Sequence, residues 1–308
     1  MIKVDLITGF LGSGKTTFLK LYAGYLLSQG QKIGILINDH GAVNVDMMFL
    51  RELEGEHCGL DMVAGACDAD CHRRRFKTKL IAMGMSGYDR VLIEPSGVFD
   101  IDEFFDVLYE EPLDRWYEIG SVIAVVDANL GDDLSASADY LLASQAATAG
   151  RIVLSKTQFA AEGEMERTLS HIERALRGVN CERKIRSSVL CKDWDKLDDN
   201  DFAEIEGCGY VGESFVKRGD IDDSGFSTMY VFDPAVSPED AQQRVKALFD
   251  GSCGNVFRVK GFVRSGDGWL ALNATRGSVE LTPSPYGQGV IIIIGEGLSE
   301  QKIGMLLG

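Results

Sequence analysis

The stretch Gly9-Phe10-Leu11-Gly12-Ser13-Gly14-Lys15-Thr16-Thr17 constrains this chain more than any other, because it satisfies the pattern G-x-x-x-x-G-K-[ST] in the context that pattern requires. An apolar run, Val4-Asp5-Leu6-Ile7, precedes it and a helical pattern opens behind it at Phe18-Leu19-Lys20-Leu21-Tyr22. The order is strand, loop, helix. Glycines let successive backbone N–H groups turn inward on phosphates, the helix N-terminus adds partial positive charge, and Lys15 reaches the β/γ-phosphates. Thr16 is the expected Mg²⁺ ligand. Gly9, Gly12, Ser13, Gly14, Lys15, Thr16 and Thr17 are therefore the expected cradle of a nucleoside triphosphate.

The remaining nucleotide-facing residues are expected where apolar strands end. Lys32 to Ile37 reads as a buried strand that runs into Asn38-Asp39-His40-Gly41. Ligands of doubly wound sheets sit beyond the carboxyl ends of the strands, so Asn38 and Asp39 should point at the triphosphate and its metal. A second strand, Arg90 to Ile93, carries Glu94-Pro95-Ser96-Gly97 at its tip. Glu94 can orient Mg²⁺ through water or position the attacking water, and the N–H of Gly97 can sense a γ-phosphate. Lys15, Glu94 and Asp39 are thus the expected catalytic residues. Strands at Gly120 to Ala128 and Arg151 to Leu154 follow, and the turn Ser155-Lys156-Thr157-Gln158 offers a lysine whose stem can lie along a purine while its ammonium stays in water.

Alternating strands and helices with near-continuous apolar strands predict an α/β domain, a doubly wound and mostly parallel sheet. It should occupy residues 1–192. Residues 193–225 are acidic and weakly periodic and read as a linker with one short helix near 199–205. Residues 226–308 read as a smaller α+β domain with the order strand, helix, three strands, helix.

Gly65-Ala66-Cys67-Asp68-Ala69-Asp70-Cys71-His72 is the densest set of potential transition-metal ligands. In a helix Cys67 and Cys71 would share one face and His72 could complete a set suited to Zn²⁺, Co²⁺ or Ni²⁺, with Asp68, Asp70, His57 and Cys58 in reserve. Small buried cysteines are the competing explanation. Arg73-Arg74-Arg75 are expected to form a solvated helix face.

Composition narrows the partners. Of 308 residues, 31 are Lys or Arg and 47 Asp or Glu, and the formal charge of −16 repels nucleic acid and anionic membranes. Seven scattered cysteines, no leader ahead of the phosphate loop and no long apolar run predict a reduced, cytoplasmic protein.

With Gly9 to Thr17, Asn38 to Gly41, Glu94 to Gly97, Val126-Asp127-Ala128 and Ser155 to Gln158 in this order, the chain resembles the CobW/cobalamin-synthesis family of P-loop GTPases, relatives of the nickel-insertion GTPases for urease and hydrogenase. Arg258 to Val263 and Ile293 to Leu298 look like signatures of that family's C-terminal domain. The resemblance implies slow GTP hydrolysis coupled to delivery of a transition metal, or handling of a metal cofactor such as cobalamin, for a client protein. It also exposes two departures. The family's metal motif is glycine followed by C-x-C-C, whereas Gly65 here precedes more widely spaced cysteines. Its base-reading N/T-K-x-D element ends in aspartate, whereas this chain has Gln158, an amide that both donates and accepts, so guanine selectivity over ATP should weaken. A nucleotide-gated interaction module that supports a metalloenzyme without binding metal is the alternative reading.

Overall fold

The computed structural model describes residues 1–38, 45–63, 69–98, 101–131, 134–212, 216 and 226–308. The chain divides into two compact units, Met1–Arg218 and Gly219–Gly308.

The first unit runs β1 (Ile2–Thr8), α1 (Lys15–Ser28), β2 (Ile33–Asn38), α2 (Val45–Leu50), β3 (Cys58–Val63), α3 (Ala69–Gly84), β4 (Arg90–Pro95), α4 (Ile101–Leu108), α5 (Leu113–Trp116) and β5 (Tyr117–Asp127). It continues with α6 (Ala136–Thr148), β6 (Arg151–Ser155), α7 (Glu164–Gly178), β7 (Val189–Leu190) and α8 (Asp199–Glu206). The strands form one sheet in the order β3-β2-β4-β1-β5-β6-β7, and each neighbouring pair is parallel. β2 and β4 are buried along their whole length, as strands covered on both faces must be. Strands after β1 are laid down first on one side of it and then on the other, so the crevice at its carboxyl end is the topological switch point where ligands bind. The doubly wound parallel sheet read from the sequence is the observed one.

Two elements differ from the sequence reading. β3 is not among the strands expected from sequence, because as an edge strand it is only half buried and carries Asp61. The segment 193–225 is not simply a linker. α8 has a capping box, Asp198 with Asp201, and lays Phe202 and Ile205 into the core of Phe18, Tyr22, Leu26, Ile35 and Val153. Tyr25 stacks on Phe202 at 5.3 Å between ring centroids, and the indole of Trp194 donates to the Leu154 carbonyl at 3.0 Å. The segment is acidic on its outer face, which masks an apolar inner one.

A buried polar cluster fastens these elements below the phosphate loop, around the middle of β1. Asp5 and Arg90 are almost solvent-free, and the guanidinium donates to both Asp5 oxygens, at 2.7 and 2.6 Å. Asp5 also accepts from the Tyr22 hydroxyl at 2.7 Å and the Ser121 amide at 2.8 Å. Arg90 reaches Glu206 on α8 at 2.9 Å. Burial, with the Asp5 charge beside it, holds the Tyr22 phenol far above its ordinary value, so it remains a donor.

The second unit holds β8 (Ser227–Phe232), α9 (Pro238–Ala247), β9 (Asn255–Ser265), β10 (Gly268–Thr275), β11 (Ser278–Ser284), β12 (Val290–Glu296) and α10 (Glu300–Leu307). Its sheet is antiparallel in the order β11-β10-β9-β12-β8, and α9 and α10 bury Val245, Leu248, Ile303 and Leu307 against Val259, Val263, Leu272, Ile291 and Ile293. β11 is the strand sequence reading missed, because it contains Pro283, which only an edge strand tolerates. No described helix is long and apolar enough to cross a membrane.

Phe202→Ala should lower the stability of the first unit by about 3 kcal/mol, the lower end for Phe→Ala because the ring keeps an edge in solvent. Urea unfolding followed through Trp194 fluorescence measures it. A change within about 0.5 kcal/mol would return α8 to the status of a surface segment.

Candidate nucleotide site

Residues 9–14 join β1 to α1 as a loop whose last glycine, Gly14, caps the helix in the left-handed region at φ 97°. A Cβ at that position would also lie 3.0 Å from the Trp194 ring, a tight contact that adds to the preference for glycine. Lys15 is buried and donates from Nζ to the Gly9 carbonyl at 2.9 Å, which holds the ammonium inside the ring of the loop. Ser13 and Thr16 are buried beside it, while Thr17 faces solvent.

The neighbouring strand ends complete the site. Thr16 on α1 donates to Glu94 Oε1 at 2.8 Å, and both are buried. Asn38 pairs in register with Pro95, accepts from the Ser96 amide at 2.7 Å through its carbonyl, and is fully buried. Neither atom of its side-chain amide has a hydrogen-bond partner among the described residues, and neither does the Ser13 hydroxyl. Buried polar atoms of this kind mark a place where a polar ligand completes the bonding. Gly97 packs directly on the phosphate loop, since an added Cβ would be 2.8 Å from the Leu11 backbone nitrogen. Gln145 on α6 is buried behind it and donates to the Gly97 carbonyl at 3.4 Å. Asp39 lies outside the described residues.

The residue set fits Mg²⁺ with a triphosphate: a hydroxyl at the helix start, a buried carboxylate bonded to it, and a buried amide with unmet bonding capacity. At the far side, Lys156 adopts the left-handed region at φ 56°, a strained state for a side-chain-bearing residue. Its ammonium is not left in water, as the sequence suggested, but pairs with Asp127 Oδ2 at 2.6 Å. Asn129 braces the turn by donating to Asp127 and to the Lys156 carbonyl, each at 3.4 Å. Gln158 is exposed. The sequence reading gave Asp127 no role of its own; its position at the tip of the strand beside β6 was the available signal. Asp193 and Trp194 were hidden in the supposed linker.

The metal-ligand candidates are only partly brought together. β3 delivers the chain to the carboxyl end of the sheet at Val63, in register with Asn38, and α3 begins at Ala69. Cys71, half-buried, and His72, buried, lie in the first turn of α3. Cys67 and Asp68 lie outside the described residues, as does the side chain of Asp70. No group of three or more His, Cys, Asp or Glu forms a metal cluster among the described residues. One reserve ligand is misplaced: Cys58 pairs with Ile33 at the opposite end of β3, about 16 Å from Val63 at 3.3 Å per residue. Nor are the three arginines a uniformly solvated face, since Arg73 pairs with Glu110 at 2.6 Å next to Lys77.

A family model for the nucleotide-binding domain of CobW/HypB/UreG matches residues 3–186. The chain belongs to this family. Its second unit matches the cobalamin synthesis protein cobW C-terminal domain over residues 226–308. Among curated relatives, the zinc chaperone YjiA of Escherichia coli (strain K12) is 30% identical over 172 residues, 53% of this chain and 52% of that protein. The zinc chaperone YeiR of the same organism is 28% identical over 177 residues, 57% of this chain and 50% of that protein. The matches thus span about half the length of these relatives. The crystal structure of Zn(II)-bound YjiA GTPase from E. coli aligns over 99% of this chain and 97% of that one, with 20% identity and a TM-score of 0.38. An overlap this loose transfers no residue roles.

Burial, with Glu54 adding to it, pushes the Cys58 thiol up to about 11. Iodoacetamide should leave Cys58 unlabelled in the native protein near neutral pH, with labelling rising only as pH approaches the thiol's own value. Peptide mass spectrometry reads this, and rapid labelling at neutral pH would make Cys58 a reactive thiolate after all.

Proposed function

We propose that this chain is a nucleotide-hydrolysing metallochaperone that binds GTP with Mg²⁺ and couples its turnover to delivery of a transition metal, zinc first among the candidates, to a client protein. The observation that carries this reading is the buried Thr16–Glu94 hydrogen bond at the mouth of the phosphate loop, in a chain of the CobW/HypB/UreG family. The two curated relatives are named zinc chaperones, which favours zinc as cargo over cobalt or nickel.

Each group has a defined task. Backbone N–H groups of residues 12–16 and the start of α1 hold the β-phosphate, and Lys15 neutralises β/γ oxygens. Thr16, with Glu94 and Asn38 next to it, would hold Mg²⁺, which supplies charge neutralisation on the β- and γ-oxygens. We assign Glu94 to orienting a water and the N–H of Gly97, whose carbonyl accepts from Gln145, to bonding the γ-phosphate. Asp39 lies one residue beyond Asn38, and we assign it to water positioning. Loss of the γ-phosphate would release the Gly97 turn and the Asn38 end of β2, whose neighbour β3 leads into the Cys67 to His72 segment. Cys67, Cys71 and His72 are the proposed cargo ligands, and the cytoplasm the proposed compartment.

Lys15→Ala should abolish nucleotide binding measured by calorimetry, while Glu94→Gln should retain binding and lose most phosphate release. Wild-type turnover in both folded variants would sink the assignment.

Thiolates must lose protons to bind metal, so Zn²⁺ affinity should fall below neutral pH and disappear in the Cys67→Ser/Cys71→Ser variant. Zn²⁺ and Mg–GTP should alter each other's affinity by one common factor, about 5–150, since linkage is reciprocal. Metal binding indifferent to nucleotide would make the cysteines a structural site, and no metal binding would favour the nucleotide-gated interaction module.

A further inference from the structure

The base-reading end of the site holds a carboxylate that no sequence motif pointed to. β6 and β7 are parallel neighbours, Val153 opposite Leu190, so the turns that follow them emerge side by side at the nucleotide end of the sheet. The first turn carries Lys156, Thr157 and Gln158, and the second carries Lys192, Asp193 and Trp194. They are bonded to each other: the Thr157 hydroxyl donates to Asp193 Oδ1 at 2.6 Å. Trp194 ties the second turn to the phosphate loop, with its ring against Gly14 and at 5.6 Å from Phe18. Asp193 therefore stands beside the strained Lys156 turn on one side and next to the residue that touches the loop on the other.

We propose that Asp193 is the specificity-determining residue for the base, the acceptor for a guanine's N1–H and exocyclic N2 amine. This rests on the nucleotide-binding reading above. Gln158 presents an amide that donates and accepts and so cannot reject adenine, whereas a carboxylate accepts only. Guanine offers two adjacent donors on one edge; adenine puts an acceptor nitrogen there, which a carboxylate repels. Asp193 has the capacity. Its two oxygens provide about four acceptor positions, and Thr157 and Lys196 occupy one each. Lys196 is largely solvent-exposed and free to swing away. The Lys196 ammonium and the Thr157 hydroxyl hold the Asp193 carboxyl below the usual carboxylate range, so it is ionised at neutral pH. The acceptor missing at position 158 is thus supplied from the facing turn, which reverses the weak guanine selectivity that Gln158 alone suggests.

The test measures Mg²⁺-dependent binding of GDP, ADP and xanthosine diphosphate by calorimetry. Xanthine replaces the C2 amine with a carbonyl, so it prefers a donor where guanine prefers an acceptor. Wild type should favour GDP over ADP by about tenfold or more, and Asp193→Asn should weaken GDP by roughly 10- to 100-fold while strengthening xanthosine diphosphate. Thr157→Val, which removes the brace and keeps the carboxylate, should preserve the wild-type order of the three. Equal weakening of all three nucleotides by Asp193→Asn would make Asp193 a scaffold residue and overturn the proposal. Equal wild-type affinity for GDP and ADP would overturn it while leaving the phosphate site intact. Failure of wild type to bind any of them would overturn the phosphate-site reading and this one with it.

Discussion

The ion pair between Asp5 and Arg90 sits at the root of the first unit. A carboxylate in the middle of a buried strand is unfavourable unless its charge is paired and its lone pairs are filled. Here Arg90 from β4, Tyr22 from α1 and the Ser121 amide from β5 all converge on it. Arg90 then draws Glu206 and α8 to the same point. Each partner comes from a different element. The cluster therefore fixes the register of β1 between β4 and β5 and the seat of α1 over them, and removing Arg90 would leave the buried Asp5 charge uncompensated.

That bolt lies midway along β1, and the phosphate loop follows the strand's carboxyl end. The same three strands supply Asp5, Arg90 and Ser121 to the cluster and Thr8, Glu94 and Asp127 at their carboxyl ends. Rigid strands transmit the geometry. Thr16 on α1 meets Glu94 at hydrogen-bond distance, and two turns further along the same helix Tyr22 bonds Asp5 on β1. The site itself keeps strain and unmet bonding capacity, in the left-handed Lys156 and the unpartnered Asn38 amide, while both oxygens of Asp5 are bonded. This division suits a site that must respond to a ligand on a frame that must not.

The C-terminal unit follows a simpler rule. Alternation along β9, β10 and β12 puts Val259, Val263, Leu272, Ile291 and Ile293 on one face, and two amphipathic helices cover it. One edge strand carries a mark that edges need. Pro283 withholds a donor on β11.

By itself the sequence determined the phosphate loop, the parallel sheet and the strand tips at Asn38, Glu94 and Lys156, because each is a local pattern: glycines at fixed offsets, or an apolar run ending in polar residues. It also carried the family. Only the tertiary structure decided what depends on neighbours distant in sequence. Asp127 became the partner of Lys156 because β5 and β6 are adjacent, a pairing no window of sequence contains. β3 and β11 were illegible because edge strands bury too little to show period two. The acidic stretch after residue 192 read as a linker because its charges dominate composition. Its few apolar side chains, Trp194, Phe202 and Ile205, nevertheless bind it to the core and set Asp193 against Thr157 in the turn after β6. Burial is a property of the fold, and a carboxylate's role follows from what burial places beside it.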